Sequence, residues 1–149
     1  ILDLLNEQRV AQRTAALTYR QQGALMAKNE NMEDKRYYYS AIVRDIYDGD
    51  TCTVDIDLGL STWLHGEKLR LNRIDAPELR GTTRKRGLSS RDFLREQIDG
   101  KSIIIETIKD SREKYGRYLA EIWLVDEKGK WQNINDLLVS SGHAVYRKY

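Results

Sequence analysis

A chain of 149 residues with a single cysteine, Cys52, has no intrachain disulfide framework and no cysteine-built zinc site, so its stability must come from packing. One thiol leaves the redox compartment open. No apolar run approaches the roughly 18 residues needed to span a bilayer, which points to a soluble chain with no membrane partner. A surplus of charge is missing as well. Against 23 acidic residues stand 25 basic ones, and the net +2 is too little for the whole molecule to act as a polycation; any affinity for nucleic acid must come from local clustering. Proline occurs once, at Pro77. The chain starts at Ile1, as a trimmed or processed chain would, and no charged n-region, apolar h-region and cleavage site can be read there. Its length suits one domain with an appended element.

Two textures divide the sequence. Residues 1–28 contain no proline, one glycine and many helix formers, with Leu2, Leu5, Val10, Leu17, Leu25 and Met26 at loosely helical spacing. Residues 29–36 (NENMEDKR) are polar without apolar periodicity, as a linker is. The expected organisation is an N-terminal helical extension and linker over 1–36 and a domain over 37–149. From Tyr37 the period becomes two. Cys52, Val54, Ile56 and Leu58 alternate with Thr51, Thr53, Asp55 and Asp57, the pattern of a strand with one dry and one wet face. YYYSAIVRDIY reads as its antiparallel partner across an Asp48-Gly49 turn. After a Gly-containing turn over 58–68, residues 69–74 form a third strand; 88–98 form a helix stopped by Gly100. Residues 102–108 and 118–125 add two strands joined around Tyr115-Gly116, and 133–140 a short helix closed by Gly142. The order predicts an α+β domain whose five strands close into an OB-type barrel with flanking helices.

Two acidic clusters stand apart in this frame: Asp48-Gly49-Asp50-Thr51 and Asp75-Ala76-Pro77-Glu78. Carboxylates at strand ends are the hard oxygen ligands that Ca²⁺ or Mg²⁺ prefers. Pro77 keeps Ala76 out of the α conformation, which could aim the Ala76 carbonyl at the same cation. Each cluster alone reads equally as a turn, because turns use the same residues. Arg70, five residues before Asp75, and Arg117, after Lys114-Tyr115-Gly116, offer planar donation to phosphate, although either one alone reads as a surface charge.

The set IYDGDT, RLNRIDAPE, KYGRYLAEI and DLLVSSGHAVY, in that order and spacing, resembles the staphylococcal nuclease (thermonuclease) family over about residues 38–149. The resemblance implies a Ca²⁺-dependent nuclease acting on DNA and RNA and leaving 3′-phosphate ends. It implies that Asp50 and Asp75 hold Ca²⁺ with help from the Ala76 carbonyl. Glu78 takes the place of the residue that positions or deprotonates water, and Arg70 and Arg117 take those of the phosphate-binding arginines. Ala76 departs from the threonine of the best-known member, a small change where only the carbonyl matters.

Outside that set, Arg80, Arg84, Lys85 and Arg86 belong to a basic segment that reads as a track for the phosphate backbone or as a solvated surface. Lys114, Tyr115 and Tyr146 are candidate nucleotide contacts, with core packing the alternative for each tyrosine. Arg73 reads as a spare surface charge, His65 as a turn residue, and Cys52 as a small core residue. Residues 1–28 are expected to dock on a protein partner, self-associate, pack on their own barrel or act as a tether. The competing reading of the whole is an OB module that binds nucleic acid or protein, or a structural subunit of an assembly, with little hydrolysis.

Overall fold

The computed structural model describes residues 37–148. The helix, linker and docking or self-association expected within residues 1–36 lie outside them. Five strands close on one another. β1 (Tyr38–Asp48), β2 (Thr51–Gly59) and β3 (Thr62–Leu71) form an antiparallel meander, and after β4 (Ile74–Asp75) and α1 (Arg84–Ile98) come β5 (Ser102–Arg112) and β6 (Tyr118–Val125). β5 pairs antiparallel with β1 and β6, and β6 closes the ring by pairing parallel with β3. The result is the OB-type mixed barrel with two helices. A short β7 (Trp131–Asn133) lies on the edge of β6, α2 (Ile134–Ser140) follows it, and β8 (Val145–Tyr146) pairs antiparallel with β4.

The alternating residues fill the barrel as their period requires. Ala41, Val43 and Ile46 of β1, Cys52, Val54 and Ile56 of β2, Leu69 and Leu71 of β3, Ile103 and Ile105 of β5, and Ala120 and Ile122 of β6 are buried together. Leu94 and Ile98 of α1 and Ile134 and Leu138 of α2 complete the same core. Cys52 is a free, fully buried thiol in it, and burial pushes its pKa up to about 12. Among the described residues no helix is long and apolar enough to cross a membrane.

The structure corrects several expectations. Leu58 is exposed, because β2 and β3 run on past the barrel as a hairpin with no face to bury. That hairpin turns at Leu60 and Ser61, both in the left-handed region (φ 53° and 62°), and β3 therefore begins at Thr62 and not at Leu69. His65 is a β3 residue and not a turn residue, with Nδ1 3.2 Å from Asp55 Oδ2. Asp55, expected on the wet face, is buried: it accepts from the Gly66 amide at 3.0 Å and from Arg44 Nε at 2.7 Å, and these hold its carboxyl down to about 2. Helix α1 starts at Arg84, four residues before the apolar period becomes visible at Leu88. β7 and β8 are three and two residues long, too short to show a period.

Candidate functional site

Strand register brings the two acidic clusters to one end of the barrel. Thr51 pairs with Arg70 across β2 and β3, and the Leu71 amide donates to the Asp50 carbonyl at 2.8 Å. The chain then turns at Asn72-Arg73 and returns through β4, which carries Asp75. Glycine makes the approach possible. A Cβ built on Gly49 would lie 2.7 Å from the Ala76 Cβ and 2.8 Å from the Ser90 Cβ, so the β1–β2 turn is pressed against both the Asp75-Ala76 segment and α1. Gly87 plays the same part in the helix, where a Cβ would stand 2.5 Å from the Glu78 carbonyl oxygen. The glycine between Asp48 and Asp50 thus serves contact between segments more than turn chemistry. Gly49→Ala should cost about 1–3 kcal/mol by overpacking, read as a lower urea midpoint with an unchanged slope.

Asp50 is the centre of the arrangement. Its Oδ2 accepts from the Ala76 amide at 2.8 Å and lies 3.2 Å from Arg70 Nη2; its Oδ1 accepts from the Thr51 hydroxyl at 3.2 Å. Burial pushes its pKa up to about 6, and the neighbouring Asp48 adds to the rise against the pull of Arg70 and the Ala76 amide. Arg70, with a side chain only 8% exposed, donates through Nη1 to the carbonyls of Leu71 (2.8 Å) and Ile74 (3.1 Å). Its Nη2 donates to Asp75 Oδ1 at 3.3 Å, so one nitrogen bridges the two aspartates.

Arg117 reaches the same centre from the β5–β6 loop. Its Nη1 donates to Thr51 Oγ1 at 3.0 Å, and Thr51 in turn donates to Asp50. Glu113 holds it there, accepting from Arg117 Nε at 3.0 Å and Nη2 at 3.1 Å and from the amides of Tyr115 and Arg117 at 3.0 Å each. Those bonds, with Arg117 foremost, keep the Glu113 carboxyl at about 2, ionised at any working pH. Sequence reasoning missed both Thr51 and Glu113. Neither carries a periodic signal: Glu113 and Arg117 face each other across the β5–β6 turn and not along a helix, and Thr51 has only its place beside Asp50.

Other candidates lie further out. The Glu78 side chain, 71% exposed, points to Arg80 (Nε to Oε2 3.2 Å) and not to the two aspartates. Ala76 is buried and meets Asp50 through its amide. Exposed Tyr115 has Lys114 Nζ 5.0 Å and the Arg117 guanidinium 5.6 Å from its ring centre. Tyr146 is exposed on β8, where its hydroxyl donates to Asp136 Oδ1 at 2.9 Å. Arg84 donates to the Leu79 carbonyl, and Arg80, Arg84, Lys85 and Arg86 are all exposed at the start of α1. Arg73 is not a spare charge. It takes the left-handed conformation (φ 65°) and pairs with Glu121 and, at 3.0 Å, with Asp136.

Among the described residues no group of three or more His, Cys, Asp or Glu side chains is gathered as at a closed metal centre. The donor set nonetheless fits a hard cation. It is oxygen only, two aspartates converge on one guanidinium nitrogen, and Arg70 offsets the buried Asp50 charge only in part.

A family model described as staphylococcal nuclease homologue matches residues 68–149, which takes in Arg70, Asp75, Glu78 and Arg117 and begins after Asp50. A thermonuclease of Staphylococcus intermedius is 30% identical over 91 residues, covering 59% of this chain and 51% of that protein. An uncharacterized protein of Methanocaldococcus jannaschii is 28% identical over 134 residues, covering 76% of this chain and 61% of its own length. The chain therefore spans little more than half the length of these relatives.

Proposed function

The chain belongs to the staphylococcal nuclease family, and on that premise we propose that it is a calcium-dependent nuclease hydrolysing phosphodiester bonds of DNA and RNA. One observation carries the reading: Asp50 and Asp75 meet on Arg70 while Arg117 reaches Asp50 through Thr51, so carboxylates and guanidinium groups form one cluster. A module that only bound a polyanion would gain nothing from a buried carboxylate at its centre with a second beside it.

In this reading Asp50, Asp75 and the Ala76 carbonyl hold Ca²⁺, which when bound polarises a phosphoryl oxygen. Arg70 and Arg117 meet the charge that grows on the phosphorus as water adds, from positions already fixed by the Leu71 and Ile74 carbonyls and by Glu113. Glu78 orients or deprotonates that water after leaving Arg80, an exposed ion pair of the kind worth at most about 1 kcal/mol.

The start of α1 supports a polyanionic substrate. Arg84, Lys85 and Arg86 crowd the end where the helix dipole is positive; no acidic residue lies in that first turn, and Thr83 makes no side-chain cap. Such an arrangement costs the helix stability unless an anion offsets it. Neutralising Arg80, Arg84, Lys85 and Arg86 together should flatten the salt dependence of binding to a short single-stranded oligonucleotide. For every phosphate that these side chains no longer neutralise, the slope of log K against log salt should fall by about 0.7. Turnover at saturating substrate should hardly change; an unchanged slope would assign these residues to the solvated surface.

The test of the function is digestion of plasmid, single-stranded DNA and RNA by the purified chain in Ca²⁺, in EGTA, and in EGTA with excess Mg²⁺. Cleavage is expected with Ca²⁺ and little with Mg²⁺, which demands a tighter octahedron and keeps its water. Undiminished cleavage in EGTA with Mg²⁺ would overturn the calcium assignment. Binding without cleavage under every condition would favour the binding module instead.

A further inference from the structure

Asp75 carries two arginines. Its Oδ1 takes Arg70 Nη2 at 3.3 Å and its Oδ2 takes Arg147 Nη1 at 3.2 Å. The two partners differ in how they are held. Arg70 is buried and bound to two carbonyls as well, whereas the Arg147 side chain is 59% exposed. The backbone beneath Arg147 is fixed: Val145 and Tyr146 pair with Asp75 and Ile74, and the Arg147 amide donates to the Arg73 carbonyl at 2.8 Å. A long side chain on a fixed base, with its head on an exposed ion pair, can change partner at little cost.

A cation engaged by Asp75 competes with this guanidinium for the carboxylate. Once displaced, the Arg147 head remains at the rim of a cluster that already presents Arg70 and Arg117, within its own side-chain length of Asp75. A phosphate is the group a displaced guanidinium there would take, because its planar donors match phosphate oxygens as they match a carboxylate. We propose that Arg147 is a third phosphate-binding arginine of this site, held on Asp75 until that carboxylate engages a cation and then passed to a phosphate of the nucleic acid. The inference rests on the calcium-dependent nuclease reading. It goes beyond it in making Arg147 the link between the two ligands. While on Asp75, Arg147 opposes the cation; a phosphate that draws it away removes the opposition. Cation and nucleotide therefore favour each other's binding through this residue, and the linkage is reciprocal. A strap that merely tied β8 to β4 would contribute stability and no linkage.

The test is calorimetric titration of the full chain with Ca²⁺, alone and with saturating deoxythymidine 3′-monophosphate, a product-like probe that offers no internucleotide bond to cleave. Wild type, Arg147→Ala and Asp75→Asn are compared, with thermal unfolding to establish that each variant folds. Without nucleotide, Arg147→Ala should bind Ca²⁺ about two- to fivefold more tightly than wild type, the range set by an exposed ion pair. The gain in Ca²⁺ affinity that nucleotide brings to the wild type should shrink by a similar factor in Arg147→Ala. Unaltered Ca²⁺ affinity together with an undiminished nucleotide effect in that variant would overturn the proposal while leaving the calcium reading standing. A wild type that takes up no Ca²⁺, with or without nucleotide, would overturn both.

Discussion

Replacing Arg117 by alanine is expected to lower turnover about 10²–10³-fold, the usual cost of removing one charged donor from a preorganised site, and replacing it by lysine should leave turnover just as low. Glu113 fixes the guanidinium through two parallel bonds and leaves Nη1 on Thr51, beside Asp50. An ammonium cannot be gripped as a fork and still face the site. Arg117 is partly exposed at the barrel end and belongs to no core contact, so the variant should still fold, with a lowered Tm that reflects the loss of its pair with Glu113. Near-wild-type turnover in Arg117→Lys would make the arginine a bystander. Arg70→Ala is a different experiment, although sequence alone would class the two together. Arg70 is buried, and its loss would strand Asp50 and the carbonyls of Leu71 and Ile74. Breaking a buried pair in this way costs about 3–5 kcal/mol, so turnover in that variant would fall together with stability.

A loss of stability just as large should come from a residue that touches no proposed ligand. Asn135 is fully buried at the start of α2. Its Oδ1 accepts from the Ile122 amide at 3.1 Å, and its Nδ2 donates to the carbonyls of Asn72 and Ala120 at 3.0 Å each and to Glu121 Oε2 at 2.8 Å. Glu121 is itself buried, with a pKa raised by that burial against the pull of Arg73. Asn135→Leu keeps the branched outline of the side chain and removes every one of these bonds, leaving a buried amide and a buried carboxyl short of partners. The expected loss is about 3–5 kcal/mol, or roughly 10–25 °C in Tm for a domain of this size. The loss reaches the site by a definite route. Asn72 and Arg73 form the turn between Arg70 and Asp75, Asn135 binds the first, and Glu121 with Asp136 binds the second. A Tm within a few degrees of wild type would mean that the turn is held by something else.

What the sequence made legible follows from where periodic burial operates. Strand β2 was readable because Cys52, Val54 and Ile56 recur at every second position against Thr51, Thr53 and Asp55, and the other barrel strands as short apolar runs between turn residues. Legibility ended where strands leave the core, as in the β2–β3 hairpin, and where a helix begins on exposed cations, as at Arg84. At the site, residue types in order located the two aspartates and two arginines, and register then brought those four together. Their supports were not legible. Thr51 had the look of a wet-face residue and Arg73 that of a surface charge, since their partners Arg117 and Glu121 lie 66 and 48 residues away. Such pairings depend on barrel closure, which no local pattern encodes. Glu78 shows the opposite limit: its residue type suits a base, while its side chain lies outward on Arg80.

End-group analysis decides whether the cluster around Asp50 cleaves phosphodiester bonds. A labelled DNA oligonucleotide would be digested in Ca²⁺ by the wild type and by Asp50→Asn, which keeps the shape and removes the charge. The expected result is fragments ending in 3′-phosphate from the wild type and essentially none from the variant. Equal cleavage by the two proteins, or wild-type fragments ending in 3′-hydroxyl, would contradict it.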